Sequence, residues 1–234
     1  MIKAQTDFEE RVAEIEAYFA FIQQINSGEI LLTRRDNNHS NPLREQRHIP
    51  AYTSTNQKNL IRTFQASAFL LLYNLMESAV NNAVEAIFDE FSEKGIAFDS
   101  CRETIRRVVL GNLKQRDLDK ILPELNSLSI DIMTKTFEKN RIVSGNVDAK
   151  KIRGIADKYG FAHPSADGSH LFTIKTSRND LAHGRKSFAD IGKDYSIDDV
   201  ILKKNNVIKY LKAMLDNVAT YIKEQHYLAT PEQP

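Results

Sequence analysis

An all-α chain is what this sequence predicts, on three observations. Apolar residues recur at helical spacing over most of its length. The stretch from Gln57 to Ser92 contains neither Gly nor Pro. No segment long enough to be a strand alternates apolar and polar residues.

The elements follow in order. Thr6-Asp-Phe-Glu reads as a capping box, after which Phe8, Val12, Ile15, Phe19 and Ile22 recur up to an Asn26-Ser27-Gly28 stop. Residues 33–56 are polar, contain Pro42 and Pro50 and show no period, so they read as a loop or lid. From Gln57 to Ser92, Leu60, Phe64, Phe69, Leu72, Leu75, Val80, Val84 and Phe88 give a long helix with a wide apolar face, the expected spine. Ser100–Leu110 and Asp117–Lys139 read as helices, with Pro123 near a start or kink. Asp148 caps a helix running through Lys158, which Gly160 ends. Ser169–His183 is helical up to Gly184, and a final helix opens at Ser196-Ile-Asp-Asp. The division this suggests is residues 1–56, a helix and polar loop packed on the rest, and a helical domain over 57–230.

With 234 residues, 41% of them hydrophobic and 27% charged, the chain can bury a full core. Asp7, Glu9, Glu10 and Glu14 occupy the region where a secretory signal would be basic and then apolar. No apolar run is long enough to span a bilayer, and the single cysteine, Cys101, fits a reducing compartment. The expected setting is therefore the cytoplasm, without a membrane. A net charge of +1 gives no global positive field, so nucleic-acid binding would need a local patch. Such a patch exists between Lys135 and Lys186, where basic residues outnumber acidic ones.

The sharpest chemical feature is Arg-Asn-Asp-Leu-Ala-His at 178–183. Spacing alone means little, because Arg34 and His39 repeat it in the polar loop. At a helix end, Asn179 and His183 share a face, and Arg178 lies about 140° around from His183, a gap its long side chain spans. A guanidinium offers forked donors to a phosphate, and an imidazole moves protons near neutral pH. At the negative end of the helix dipole a histidine suits a general acid. The structural alternative is that Arg178 pairs with Asp180 or Asp190 and His183 caps carbonyls.

Other features carry less. His163, His170 and His183 do not share a helical face, and no cysteine or carboxylate pair joins them, so no metal site is expected. Gly160 and Gly168 flank a segment without a phosphate-loop pattern. Tyr18, Phe19, Phe21, Phe64, Phe69, Tyr73, Phe88 and Phe91 read as core or dimer interface, and Arg106-Arg107 and Lys203-Lys204 as solvated pairs.

The segment SRNDLAHGRKSFADIG, with SGNVDAKKIRGIADKYGF before it and YLKAMLDNVATYI after it, resembles the HEPN superfamily in its MAE-like nuclease branch. The resemblance extends over about residues 57–228 and is densest from Ser144 to Ile191. It implies an HEPN-like helical bundle, dimerisation, and a cleft in which arginines and histidines of both subunits cleave RNA without metal or cofactor. On that resemblance Arg178, His183 and Asn179 are the catalytic candidates, Asp180 and Glu77 supporting ones, and Lys175, Arg185 and Lys186 candidates for holding RNA. Glu77 alternatively reads as a structural carboxylate paired with Ser78 or an arginine. The setting implied is a toxin–antitoxin or antiviral-defence system, with an antitoxin or sensor protein encoded nearby. The alternative is a non-catalytic helical adaptor that binds a partner protein or nucleotide.

Overall fold

The computed structural model describes residues 1–30, 54–122, 128–139, 142–143 and 145–229. The polar loop beginning at residue 33, with its Arg34 and His39, lies outside the described residues up to residue 53, as does Pro123.

Helix α1 (Ile2–Ser27) buries Phe8, Ile15, Phe19 and Ile22 and stops at a left-handed Gly28. It does not open at Thr6, which lies inside it. The chain is helical from Ile2, with no side-chain cap, because Ala4 is buried too and gives the extra turn a packed face. Helix α2 (Ser54–Glu93) takes in the last residues assigned to the polar loop. It is the spine: α1 and most later helices pack against it. Its alanines at 66, 68, 79, 83 and 86 are buried and let neighbouring backbones come close, while Phe69, Leu72, Tyr73, Met76 and Ile87 fill the space between.

The region after α2 is more broken than its periodicity suggests. A short 3-10 turn at Phe98–Ser100 precedes α3 (Glu103–Lys114), and within the expected Asp117–Lys139 helix the described residues form α4 (Leu118–Ile121) and α5 (Leu128–Lys135). Buried Cys101, its thiol pushed up to about 11 by burial, pairs through the backbone with Leu228 and anchors the chain's return.

Helices α6 (Ala149–Tyr159), α7 (Ser169–Ala182) and α9 (Ile197–Lys223) follow their sequence signals closely. Asp148 accepts the Lys151 N–H, Gly160 ends α6, and Ser196 and Asp199 bond reciprocally as a capping box. The sequence reading assigned no element to α8 (Phe188–Lys193), although Ser187 accepts the Asp190 N–H as an N-cap. Gly192 is why α8 lies so close to α2: a Cβ there would fall 2.0 Å from the Arg62 carbonyl oxygen.

Lys203-Lys204 is not a solvated pair. The Lys204 ammonium is buried, ion-paired with Glu16 of α1 and 5.4 Å from the centre of the Phe19 ring. Among the described residues no helix is long and apolar enough to cross a membrane.

Candidate functional site

Residues 178–183 form the closing turn of α7. Leu171, Ile174 and Ser177 are buried and Leu181 packs against the core, while Ala182 and His183 are exposed. His183 is the C-cap, and its backbone N–H, not its side chain, bonds the Asn179 carbonyl. Gly184 follows at φ 64°, a left-handed conformation that costs other residues about 1 kcal/mol. That turn lets the Arg185 N–H reach the Asp180 carbonyl at 2.8 Å.

Arg178 turns toward α2. Its guanidinium carbon sits 4.5 Å from the centre of the Tyr73 ring, and Nη1 donates to Asn179 Oδ1 at 3.0 Å. It pairs with neither Asp180 nor Asp190; the latter bonds Ser187 and Lys193. Burial raises the Tyr73 phenol above its usual range, partly offset by the Val147 N–H, which its oxygen accepts at 3.1 Å. One turn along α2, Glu77 accepts the Gly145 N–H at 2.9 Å. Glu77 is therefore tied to backbone; Ser78 instead donates to the Leu75 carbonyl.

Two side chains of α2 thus hold the segment that leads into α6, and that segment returns to α7. Asp148 forms an ion pair with Lys175, one turn before Arg178. Burial works against the Asp148 charge, but Lys175 and the Lys151 N–H outweigh it and hold the carboxyl below its ordinary range.

The structure brings Arg178 and Asn179 into direct contact and joins them to Glu77 through Tyr73 and the 145–147 backbone. His183 is exposed, and among the described residues nothing bonds its ring. Asp180 points elsewhere, into a cavity of about 210 Å³ between α7 and α8 that Thr176, Asp194 and Tyr195 also line. The geometric reason is that Asp180 lies about 200° around the helix from Arg178. The three lysine and arginine candidates each face a carboxylate: Lys175 faces Asp148, Arg185 faces Asp180 at 3.9 Å, and Lys186 faces Asp194 at 3.4 Å. His163 bonds Asp157 at 2.6 Å, apart from the other histidines.

Sequence reasoning placed Tyr73 among core aromatics and missed its contact with Arg178. The available signal was its position one turn before Glu77, which puts both on one face of the spine.

The family model for MAE_28990-like HEPN domains matches residues 3–227. The match begins in α1, whereas the sequence resemblance starts only at about residue 57. No curated protein and no solved structure matches the chain.

Proposed function

Because the chain belongs to the MAE_28990-like HEPN family, we propose that it is a metal-independent endoribonuclease acting as a homodimer. The observation that carries this reading is the contrast between two motif residues. Arg178 is held by the Tyr73 ring and Asn179, while the His183 imidazole, five residues on, is exposed and unbonded among the described residues. A fixed guanidinium with donors remaining is suited to a phosphodiester oxygen, since it loses little freedom on binding. An unengaged imidazole is suited to moving a proton to or from RNA.

RNA carries its own nucleophile. In this mechanism the 2′-hydroxyl attacks the adjacent phosphorus as His183 of one subunit in the shared cleft takes its proton, Arg178 neutralises charge on the phosphoryl oxygens, and His183 of the other subunit gives a proton to the departing 5′-oxygen as its bond to phosphorus breaks. The products are a 2′,3′-cyclic phosphate and a free 5′-hydroxyl. Phe172 and Thr176 share the outer stripe of α7 with Asn179 and His183, and Phe172 is 60% exposed. That stripe offers a second copy an apolar anchor about three turns before the histidine, which supports a cleft built from both subunits. The setting proposed is a toxin or antiviral-defence effector restrained by a protein partner.

The test is incubation of the purified protein with total RNA in chelator, with wild type beside His183→Ala and Arg178→Ala. Cyclic phosphate ends that require both residues are expected. Cleavage unchanged in both variants overturns the assignment, and a monomer as fast as a dimer overturns the composite cleft. The contacts of Arg178 with Tyr73 and Asn179 also favour a second reading, a non-catalytic adaptor in which Arg178 secures the helix end. Absence of RNA cleavage by the wild type would support it.

A further inference from the structure

The cavity of about 210 Å³ between α7 and α8 has one polar wall. Thr173, Ser177 and Asp180 line it from successive turns of α7, within about 60° of arc. Opposite them stand Ile191 and Tyr195. The Tyr195 ring is braced by the Phe69 ring, 4.9 Å away between centres, and by the Lys203 ammonium at 5.1 Å, so that wall is fixed in place.

The groups of the polar wall lack partners. Ser177 is 7% exposed, yet its hydroxyl makes no hydrogen bond among the described residues, and neither does that of Thr173. Elsewhere in the helices, Thr63, Ser67, Thr136, Thr176 and Thr220 turn back to bond the carbonyl four residues earlier. The Asp180 side chain is 21% exposed and its carboxylate accepts no hydrogen bond among the described residues; the Arg185 guanidinium stops 3.9 Å away, beyond hydrogen-bond distance. Lys186, which also lines the cavity, is taken by Asp194 at 3.4 Å. Buried polar groups are nearly always bonded in folded chains, so an unbonded hydroxyl and carboxylate on one wall of a cavity point to a ligand that completes them.

Position links the cavity to the motif. Asp180 and His183 are i and i+3 on α7, neighbours on its surface, and Thr176 at the lip shares the outer stripe with His183. A nucleotide whose phosphate lies at His183 therefore has this cavity within reach of its base. The volume falls below the about 300–1,000 Å³ of sites for drug-sized ligands, which suits a single base with its sugar and phosphate left outside. A carboxylate only accepts, so it calls for paired donors. Guanine presents its N1–H and N2 amine side by side, matching the two oxygens. Adenine and cytosine set a ring-nitrogen lone pair beside their amine, and uracil sets carbonyl oxygens beside its N3–H; each turns a lone pair toward the carboxylate. The Ser177 hydroxyl, one turn from Asp180, is placed to donate to guanine O6. A hydrated cation would find Ile191 and Tyr195 on the facing wall, and among the described residues no group of three metal-binding side chains exists.

We propose that this cavity selects guanine beside the scissile phosphate, with Asp180 accepting from N1–H and the N2 amine and Ser177 donating to O6. The site rests on the ribonuclease reading, because the base belongs to the RNA cut at His183.

The experiment takes two measurements in chelator. One is kcat/KM for short RNAs that differ in the base on one or the other side of the cut. The other is binding, by fluorescence anisotropy, of the 2′-O-methyl tetranucleotides UUGU, UUAU, UUCU and UUUU, which lack the nucleophile. Wild type should favour guanine at least tenfold in both. Asp180→Asn keeps the shape and replaces one acceptor oxygen with a donor amide, while Ser177→Ala removes only the hydroxyl. Each should reduce the guanine preference at least threefold, with melting curves confirming that both fold. A merely structural role would change the values for all four bases alike. Cleavage by wild type without a base preference overturns the proposal and leaves the ribonuclease reading standing. No cleavage, with guanine-specific binding that Asp180→Asn abolishes, overturns the ribonuclease reading and keeps the guanine site. A guanine preference unchanged in both folded variants overturns the proposal.

Discussion

The guanidinium carbon of Arg178 lies 4.5 Å from the centre of the Tyr73 ring, whose hydroxyl accepts the Val147 N–H. One buried aromatic side chain therefore joins the spine, the segment before α6 and the end of α7. Tyr73→Phe keeps the ring face and leaves a buried N–H unbonded, which should cost about 1–3 kcal/mol in urea denaturation. Tyr73→Leu also removes the surface under Arg178 and should cost more. If the two variants lose the same stability, the contact between ring and guanidinium contributes nothing.

Gly192 and Gly111 should respond oppositely to alanine. At Gly192 the new Cβ would meet the Arg62 backbone at 2.0 Å, and neither backbone can step aside without moving α8 off α2. A loss of at least about 3 kcal/mol is expected. At Gly111, inside α3, the same atom meets nothing within 4 Å, and a gain of about 0.5–1 kcal/mol is expected from helix propensity. Thermal melts of the two variants measure both.

The Lys204–Glu16 pair should be asymmetric. The Lys204 side chain is 7% exposed and that of Glu16 50% exposed. Glu16→Gln strands a buried ammonium and should cost about 1–3 kcal/mol, whereas Lys204→Met leaves Glu16 in water and should cost less. Chemical denaturation of the two single variants decides it. Equal losses would mean that solvent already reaches the ammonium.

Asp148 both caps α6 and pairs with Lys175. Asp148→Asn keeps a capping acceptor and loses the ion pair; Asp148→Ala loses both and should be less stable by a further amount of about 1 kcal/mol. Because the folded chain holds this carboxyl below its ordinary range, it binds that proton at lower pH than the unfolded chain does. Its contribution is therefore fully present at neutral pH and disappears as pH falls below the usual carboxylate range. Stability measured against pH should fall more steeply in acid for wild type than for Asp148→Asn.

What the sequence by itself determined is local. The long spine, the caps at Asp148 and Ser196, the stops at Gly160 and Gly184, and the position of the 178–183 motif at a helix end all depend on residues within a turn or two of one another. Capping and periodicity act over that range, so they are readable from the order of residues alone. The same signals failed at Thr6, where burial of Ala4 carried the helix past a plausible cap.

The tertiary structure alone decided which distant groups meet. That Arg178 rests on Tyr73 and not on a carboxylate, that Glu77 holds Gly145, and that Lys204 is buried against Glu16 are outcomes of helix packing. Each of these contacts joins residues far apart in the chain, and no local period encodes them. They follow from how the apolar faces of α1, α6, α7 and α9 settle together around α2, which fixes the side-chain partners only once the whole core has closed.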